Sequence, residues 1–174
     1  MANIELVFRP GVTTQIEIDD DILLFCATGG ALPAGTQIPD QTQVVQQALA
    51  NPIGAGRLEE LLQPGDRVVI MVDDVTRPTP AAAILPHILE RVHRAGVSVE
   101  EVTIFMAIGT HRLMTEKELR IKLGDEVRER YRIIHREYRD GDFVDLGQTE
   151  SGTPIWIDRE VVEADFTIAV GNVV

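Results

Sequence analysis

Cysteine is almost missing from this chain. Cys26 stands alone among 174 residues, so neither an intrachain disulfide nor a cysteine metal cluster can form. It sits in "DILLFCATGG", among apolar neighbours, and reads as an inert core thiol. Basic residues are also scarce, 16 against 28 acidic ones, for a formal charge of −12. That balance argues against nucleic acid or an anionic membrane as a partner, because both require a basic face. A small anion is still within reach of one Arg and a few backbone N–H groups; otherwise the acidity serves solubility. No apolar run approaches the ~18 residues needed to span a bilayer. The start, "MANIELVF", lacks the basic-then-apolar order of a signal peptide, and the expectation is a cytoplasmic protein.

Familiar motifs are absent as well. The four histidines show no H-x-x-x-H or comparable metal spacing, so no metal ligands are assigned. There is no G-x-x-x-x-G-K-[ST], no G-x-G-x-x-G and no G-x-S-x-G. ATP, ordinary NAD and serine-hydrolase chemistry lose their usual support.

What is present is an ordinary globular composition, 44% apolar and 25% charged, at a length that suits one domain. Residues 3–8 and 15–25 carry β-type patterns around Gly11 and predict a hairpin, followed by a Gly- and Pro-rich connector over 28–40. "DQTQVVQQALAN" predicts a helix from Asp40 to Asn51, and "GRLEELLQPGD" a short second one. "RVVIMV" (67–72) is a continuous apolar run of strand length, the pattern of a strand buried on both faces. Ile84, Leu85, Ile88, Leu89, Val92 and Ala95 recur at helical spacing up to Gly96, with Pro86 either starting or kinking that helix. "VEEVTIFMAIG" (99–109) and "ADFTIAVGN" (164–172) predict two more strands buried on both faces. Between them, Thr115 and Glu118 make a capping box for a helix that stops at Gly124, while "YRIIHREY" and "TPIWIDRE" read as more exposed strands. The fold class is therefore α/β: a mostly parallel, Rossmann-like sheet flanked by helices, with an N-terminal β-hairpin extension. It is read as a single domain over 1–174, with hairpin and connector over 1–44 and a three-layer α/β region over 45–174.

Ligands of open parallel sheets bind beyond the carboxyl ends of the strands. Three loops occupy those ends: "DDVTRPTP" (73–80), "GTHR" (109–112) and "GN" (171–172). Arg77 offers a planar fork for a carboxylate or phosphate. Asp73 and Asp74 either orient that Arg or accept hydrogen bonds from a ligand; the plainer alternative is an Arg–Asp pair that only stabilises the loop. His111 is a candidate general base, since imidazole changes charge near neutral pH, against the alternative of a loop histidine bonded to backbone. Gly109 would let a ligand approach the main chain. Taken together, the two loops predict Arg77 and His111 side by side, within reach of one small ligand. His87 and His93 are assigned exposed or helix-end roles, and His135 a structural one.

"DDVTRPTP", then "AIGTHRLMTEKEL", then "DLGQTESGTPIWIDREVVEADFTIAVGNVV" resemble the N-terminal domain of nickel-dependent lactate racemases over about residues 45–174. The resemblance implies a nickel-pincer nucleotide as cofactor and a small 2-hydroxy acid as substrate. A hydride would leave the hydroxyl-bearing carbon while a histidine takes the hydroxyl proton. It implies His111 as one of two acid/base histidines, Arg77 as the substrate-carboxylate clamp, and Asp74 and Thr76 as cofactor-side contacts. In that family a second catalytic histidine, a cofactor-bearing lysine and a nickel-ligating histidine follow, with a further domain. This sequence stops at "GNVV". The expectation is an N-terminal fragment that by itself neither racemises lactate nor retains the cofactor, its partner being the missing C-terminal domain. The competing reading is a non-catalytic α/β module that binds a small anion or nucleotide.

Overall fold

Two strands flank Gly11 in the computed structural model, which describes residues 2–9, 12–22 and 40–172. They are β1 (Ala2–Arg9) and β2 (Val12–Ile18), paired antiparallel with Ala2 opposite Ile18. The hairpin predicted from the sequence is therefore present, but its second strand ends at Ile18 and not near residue 25. The three consecutive acids Asp19, Asp20 and Asp21 explain the early stop, because Asp disfavours extended pairing and favours turns. Cys26 and the connector up to residue 39 lie outside the described residues. The chain divides into two units, Met1–Ile38 and Pro39–Val174.

The second unit begins with α1 (Gln41–Ala50), whose N-cap Asp40 accepts a hydrogen bond from Thr42 N at 2.8 Å, and α2 (Leu58–Leu61). The apolar run then becomes β3 (Val68–Asp73), followed by α3 (Ala81–Arg94) and β4 (Val102–Ala107). Pro86 lies inside α3 on its exposed side, not at its start. Next come α4 (Glu116–Leu123), closed at its start by the Thr115–Glu118 capping box, α5 (Asp125–Arg130) and β5 (Arg132–Ile134). An antiparallel hairpin, β6 (Phe143–Gln148) and β7 (Pro154–Asp158), leads through α6 (Arg159–Val162) to β8 (Phe166–Val170).

Four of these strands form one parallel sheet in the order β5-β4-β3-β8. On one face Val68, Ile70 and Val72 join Val102, Ile104 and Met106 against Leu85, Ile88, Leu89 and Val92 of α3 and Leu119 and Leu123 of α4. The opposite face carries Met71 and Phe105, which line a common cleft with Phe143 and Trp156 of the hairpin and Val161 of α6. Helices thus cover one face of the sheet, and a hairpin with one short helix serves the other.

β3 and β4 are buried almost throughout, as expected for strands covered on both faces. β8 is not. Its exposure alternates, with Thr167 and Ala169 open, because it is an edge strand paired only with β3. The register decides where the loops open. Asp73 pairs with Ala107, and Val72 with Val170, so the three strands end level. Segments 74–80, 108–112 and 171–172 therefore leave the same edge of the sheet.

Candidate functional site

The loops after β3 and β4 each start with a tight turn tied to the strand they leave. Arg77 N donates to Asp74 O at 3.1 Å, and His111 N to Ile108 O at 3.1 Å. Gly109 takes φ +57 in the second turn, a left-handed conformation that L side chains rarely adopt. A Cβ there would meet nothing within 4 Å, so the backbone angle, not crowding, is what calls for glycine at 109.

Asp74 is 4% exposed, and both its oxygens are occupied. Oδ1 accepts from Thr76 N (2.8 Å) and from the Thr76 hydroxyl (2.6 Å), an arrangement in which the side chain caps its own turn. Oδ2 meets His111 Nδ1 at 2.5 Å. Burial pushes the Asp74 carboxyl up, but hydrogen bonds from the Thr76 hydroxyl, His111 and Thr76 N–H outweigh it and hold the group below the usual range. Asp74 is therefore ionised at neutral pH, and Nδ1 of His111 must carry the proton that the two share. Nε2 of this half-exposed imidazole is left as the basic nitrogen.

Asp73 faces another way. Lys122 of α4, only 5% exposed, places Nζ 2.6 Å from Asp73 Oδ1. The contact is an ion pair without good hydrogen-bond alignment. The Thr79 hydroxyl donates to Asp73 Oδ2 at 2.5 Å, and Lys122 also donates to the carbonyls of Arg77 (3.2 Å) and Thr79 (3.1 Å). A Cβ on Gly171, at the end of β8, would stand 3.7 Å from Asp73 Oδ2. Asp73 thus sits at the junction of β3 and β8, where strand order reverses and open α/β sheets hold ligands.

Of the residues singled out on the sequence, His111, Asp74 and Thr76 come together in one hydrogen-bonded group. Arg77 joins it only through its main chain. Its exposed side chain has no partner among the described residues and borders a groove with Val75, Thr79, Pro80, Ile121 and Lys122, which His111 does not line. The Arg–Asp loop pair weighed on the sequence does not form, because Asp73 is turned to Lys122 and Asp74 to His111. Arg112, the last residue of "GTHR", is pinned to α4: its guanidinium donates to both Glu118 oxygens at 2.7 and 2.9 Å and holds that carboxyl at about 2, with further help from Thr115.

His93 and His135 take structural places. His93 bridges Val97 O (2.8 Å) and the Tyr131 hydroxyl (2.7 Å) near the end of α3. His135 Nε2 accepts from Met114 N at 3.0 Å. Among the described residues no group of three or more His, Cys, Asp or Glu side chains could hold a metal ion, and no helix is long and apolar enough to cross a membrane. Lys122 escaped the sequence reading, since a lysine in the last turn of a helix is ordinary there. The available signal was its place between Leu119 and Leu123 on the buried stripe of α4.

Comparison with known proteins gives this arrangement its family. Residues 13–174 match the model of the lactate racemase N-terminal domain. The lactate racemase of Thermoanaerobacterium thermosaccharolyticum is 33% identical over 132 residues, covering 75% of this chain and 31% of that protein. The lactate racemase of Lactiplantibacillus plantarum is 32% identical over 160 residues, covering 91% and 37%. The solved lactate racemase apoprotein from T. thermosaccharolyticum superposes with a TM-score of 0.70 at 27% identity, over 97% of this chain and 38% of that one. A Thermotoga maritima protein shares the fold, with a TM-score of 0.55 at 18% identity. The chain spans about a third of the length of the curated relatives it matches. With its parallel sheet, its level strand ends and a match over nearly its whole length, this chain belongs to the lactate racemase N-terminal domain family.

Proposed function

We propose that this chain is the N-terminal catalytic part of a lactate racemase-like 2-hydroxy-acid racemase or epimerase, with His111 as one of its acid/base groups. The observation that carries the reading is the Asp74–His111 pair. An ionised, buried carboxylate holds Nδ1–H and leaves Nε2 free, which is the arrangement a general base needs. Nε2 would take the hydroxyl proton of the substrate, and the imidazolium so formed would stay paired with Asp74 until it returns that proton. Asp74 acts in this reading by orienting His111, with Thr76 holding Asp74 in turn. Arg77, whose exposed and uncommitted guanidinium borders a separate groove, would have to turn toward His111 to clamp the substrate carboxylate through a bidentate pair.

The cofactor implied by the resemblance is a nickel-pincer nucleotide. The described residues do not fit a nickel centre. His111 has spent one nitrogen on Asp74, and a single remaining nitrogen does not fix a metal. No step is therefore routed through nickel, and the cofactor is proposed only for the longer protein in which the rest of the relatives' length would be present. By itself the 174-residue chain would hold no stoichiometric nickel and turn over no lactate. Moving hydrogen between the two faces of a planar keto acid needs a proton acceptor on each side, and His111 supplies one.

The test is racemisation of one lactate enantiomer, followed by optical rotation, in the cofactor-loaded longer protein and in its His111→Asn variant. A loss of about 10²–10⁴ in kcat is expected for removal of a general base. Unchanged turnover would remove His111 from the chemistry. The competing reading, a small-anion or nucleotide module, rests on the free guanidinium of Arg77, and would gain if the longer protein bound such an anion without racemising any 2-hydroxy acid.

A further inference from the structure

Lys122 is buried, and its ammonium group is committed to one short segment. It pairs with the Asp73 carboxylate at 2.6 Å and donates to the carbonyls of Arg77 and Thr79 at 3.2 and 3.1 Å. Lysine is seldom fully buried, and taking its charge out of water is costly unless partners offset it. A loop that only had to be closed would need less, because Pro78 and Pro80 already restrict its main chain. The three contacts flank Asp74, Val75 and Thr76, with Asp73 before them and the carbonyls of residues 77 and 79 after them. Nothing else from α4 reaches that segment with a charge: the remaining charged side chains of the helix that have partners, Glu116, Glu118 and Arg120, pair with Arg128, Arg112, Asp125 and Glu129.

We propose that Lys122 is a positioning residue for the Asp74–His111 pair, clasping residues 73–79 so that Asp74 Oδ2 stands where it holds the proton on His111 Nδ1. Its grip on the Arg77 carbonyl also fixes the main chain from which that guanidinium projects. The proposal rests on the reading of His111 as an acid/base group, but its prediction concerns which ring nitrogen is protonated, and that is measured without substrate or cofactor.

The experiment uses the 174-residue chain labelled with ¹⁵N in its histidine rings. The wild-type protein should show His111 as a single tautomer protonated at Nδ1. Lys122→Met keeps the length of the side chain and removes all three donors, but it strands the Asp73 carboxylate. Asp73→Asn/Lys122→Met is therefore made beside it, with both buried charges gone. In either folded variant the single-tautomer signature of His111 should be lost, its two nitrogens moving toward averaged shifts, while those of His87 and His93 stay put. A folded variant in which His111 keeps the wild-type signature overturns the proposal. Failure of both variants to fold overturns it too, since Lys122 would then serve the fold and not the site. Loss or survival of racemisation in His111→Asn leaves this result unaffected, so the two readings fail separately.

Discussion

Replacing Asp74 by Asn exchanges one carboxylate oxygen for an NH₂ group and changes almost no volume. In the native protein Oδ1 accepts from both donors of Thr76, and Oδ2 accepts from His111 Nδ1. An amide has one acceptor oxygen. If that oxygen stays with the two Thr76 donors, the NH₂ group faces Nδ1, which must then accept, and the imidazole proton moves to Nε2. The nitrogen presented to a substrate becomes an N–H and ceases to be a base. A hydrogen bond to a charged group contributes about 1.5–3 kcal/mol and a neutral one about 0.5–1.5, so the exchange should cost about 1 kcal/mol of stability. The catalytic loss in the loaded longer protein should be far larger, about 10²–10⁴ in kcat, which is what a correctly protonated general base supplies.

The pH dependence has a definite sign. The folded-state pKa of Asp74 lies below its unfolded value, about 3.9. Its stabilising contribution is therefore fully present above that value and is lost as pH falls through the folded pKa. Urea denaturation of both proteins by circular dichroism should show a gap at pH 7 that closes in acid. A gap unchanged down to the lowest accessible pH, or an Nδ1-protonated His111 in the variant, would refute the reasoning.

Arg77→Ala should leave the stability of the chain within about 0.5 kcal/mol, because the side chain is exposed and without a partner among the described residues. In the loaded longer protein the same change should lower kcat/KM by the equivalent of about 2–4 kcal/mol, and Arg77→Lys should recover little, since an ammonium cannot reproduce the fork; near-normal kinetics for Arg77→Lys would dismiss the clamp. Leu85→Ala, at a fully buried position of α3 against the sheet, should cost about 2–5 kcal/mol and be read as a fall in the urea midpoint. His135 is held below its ordinary value by burial and by Arg128 nearby, so its contribution is present above the unfolded pKa, about 6.5, and fades as pH falls through the folded one. An NMR titration of its ring should show a midpoint below that of a free histidine, and protonation should free the Met114 amide to exchange.

The sheet was legible because its signal is local. Val68–Val72 is an unbroken apolar run and Val102–Met106 is interrupted only by Thr103, and no partner had to be known to see that both needed burial on two sides. β8 looked the same in sequence and differs in fact, because burial of a strand's second face depends on what lies over it and β8 is at an edge. β6 was missed for a related reason: "FVDLGQ" mixes an acid and a glycine into a strand whose pairing with β7 is set by the hairpin, not by its composition.

For the site, the amino-acid sequence by itself determined which chemistry is available. It placed two carboxylates, a guanidinium and an imidazole at strand ends that a parallel sheet must bring to one edge. The tertiary structure decided the partnerships. Successive residues leave an extended chain on opposite sides, so adjacent Asp73 and Asp74 cannot do the same work. One turns to the buried ammonium of Lys122, 49 positions further along by number (122 − 73), and the other to His111 on the neighbouring loop. No spacing rule assigns such long-range pairs, because they depend on the sheet register and on the face that α4 buries.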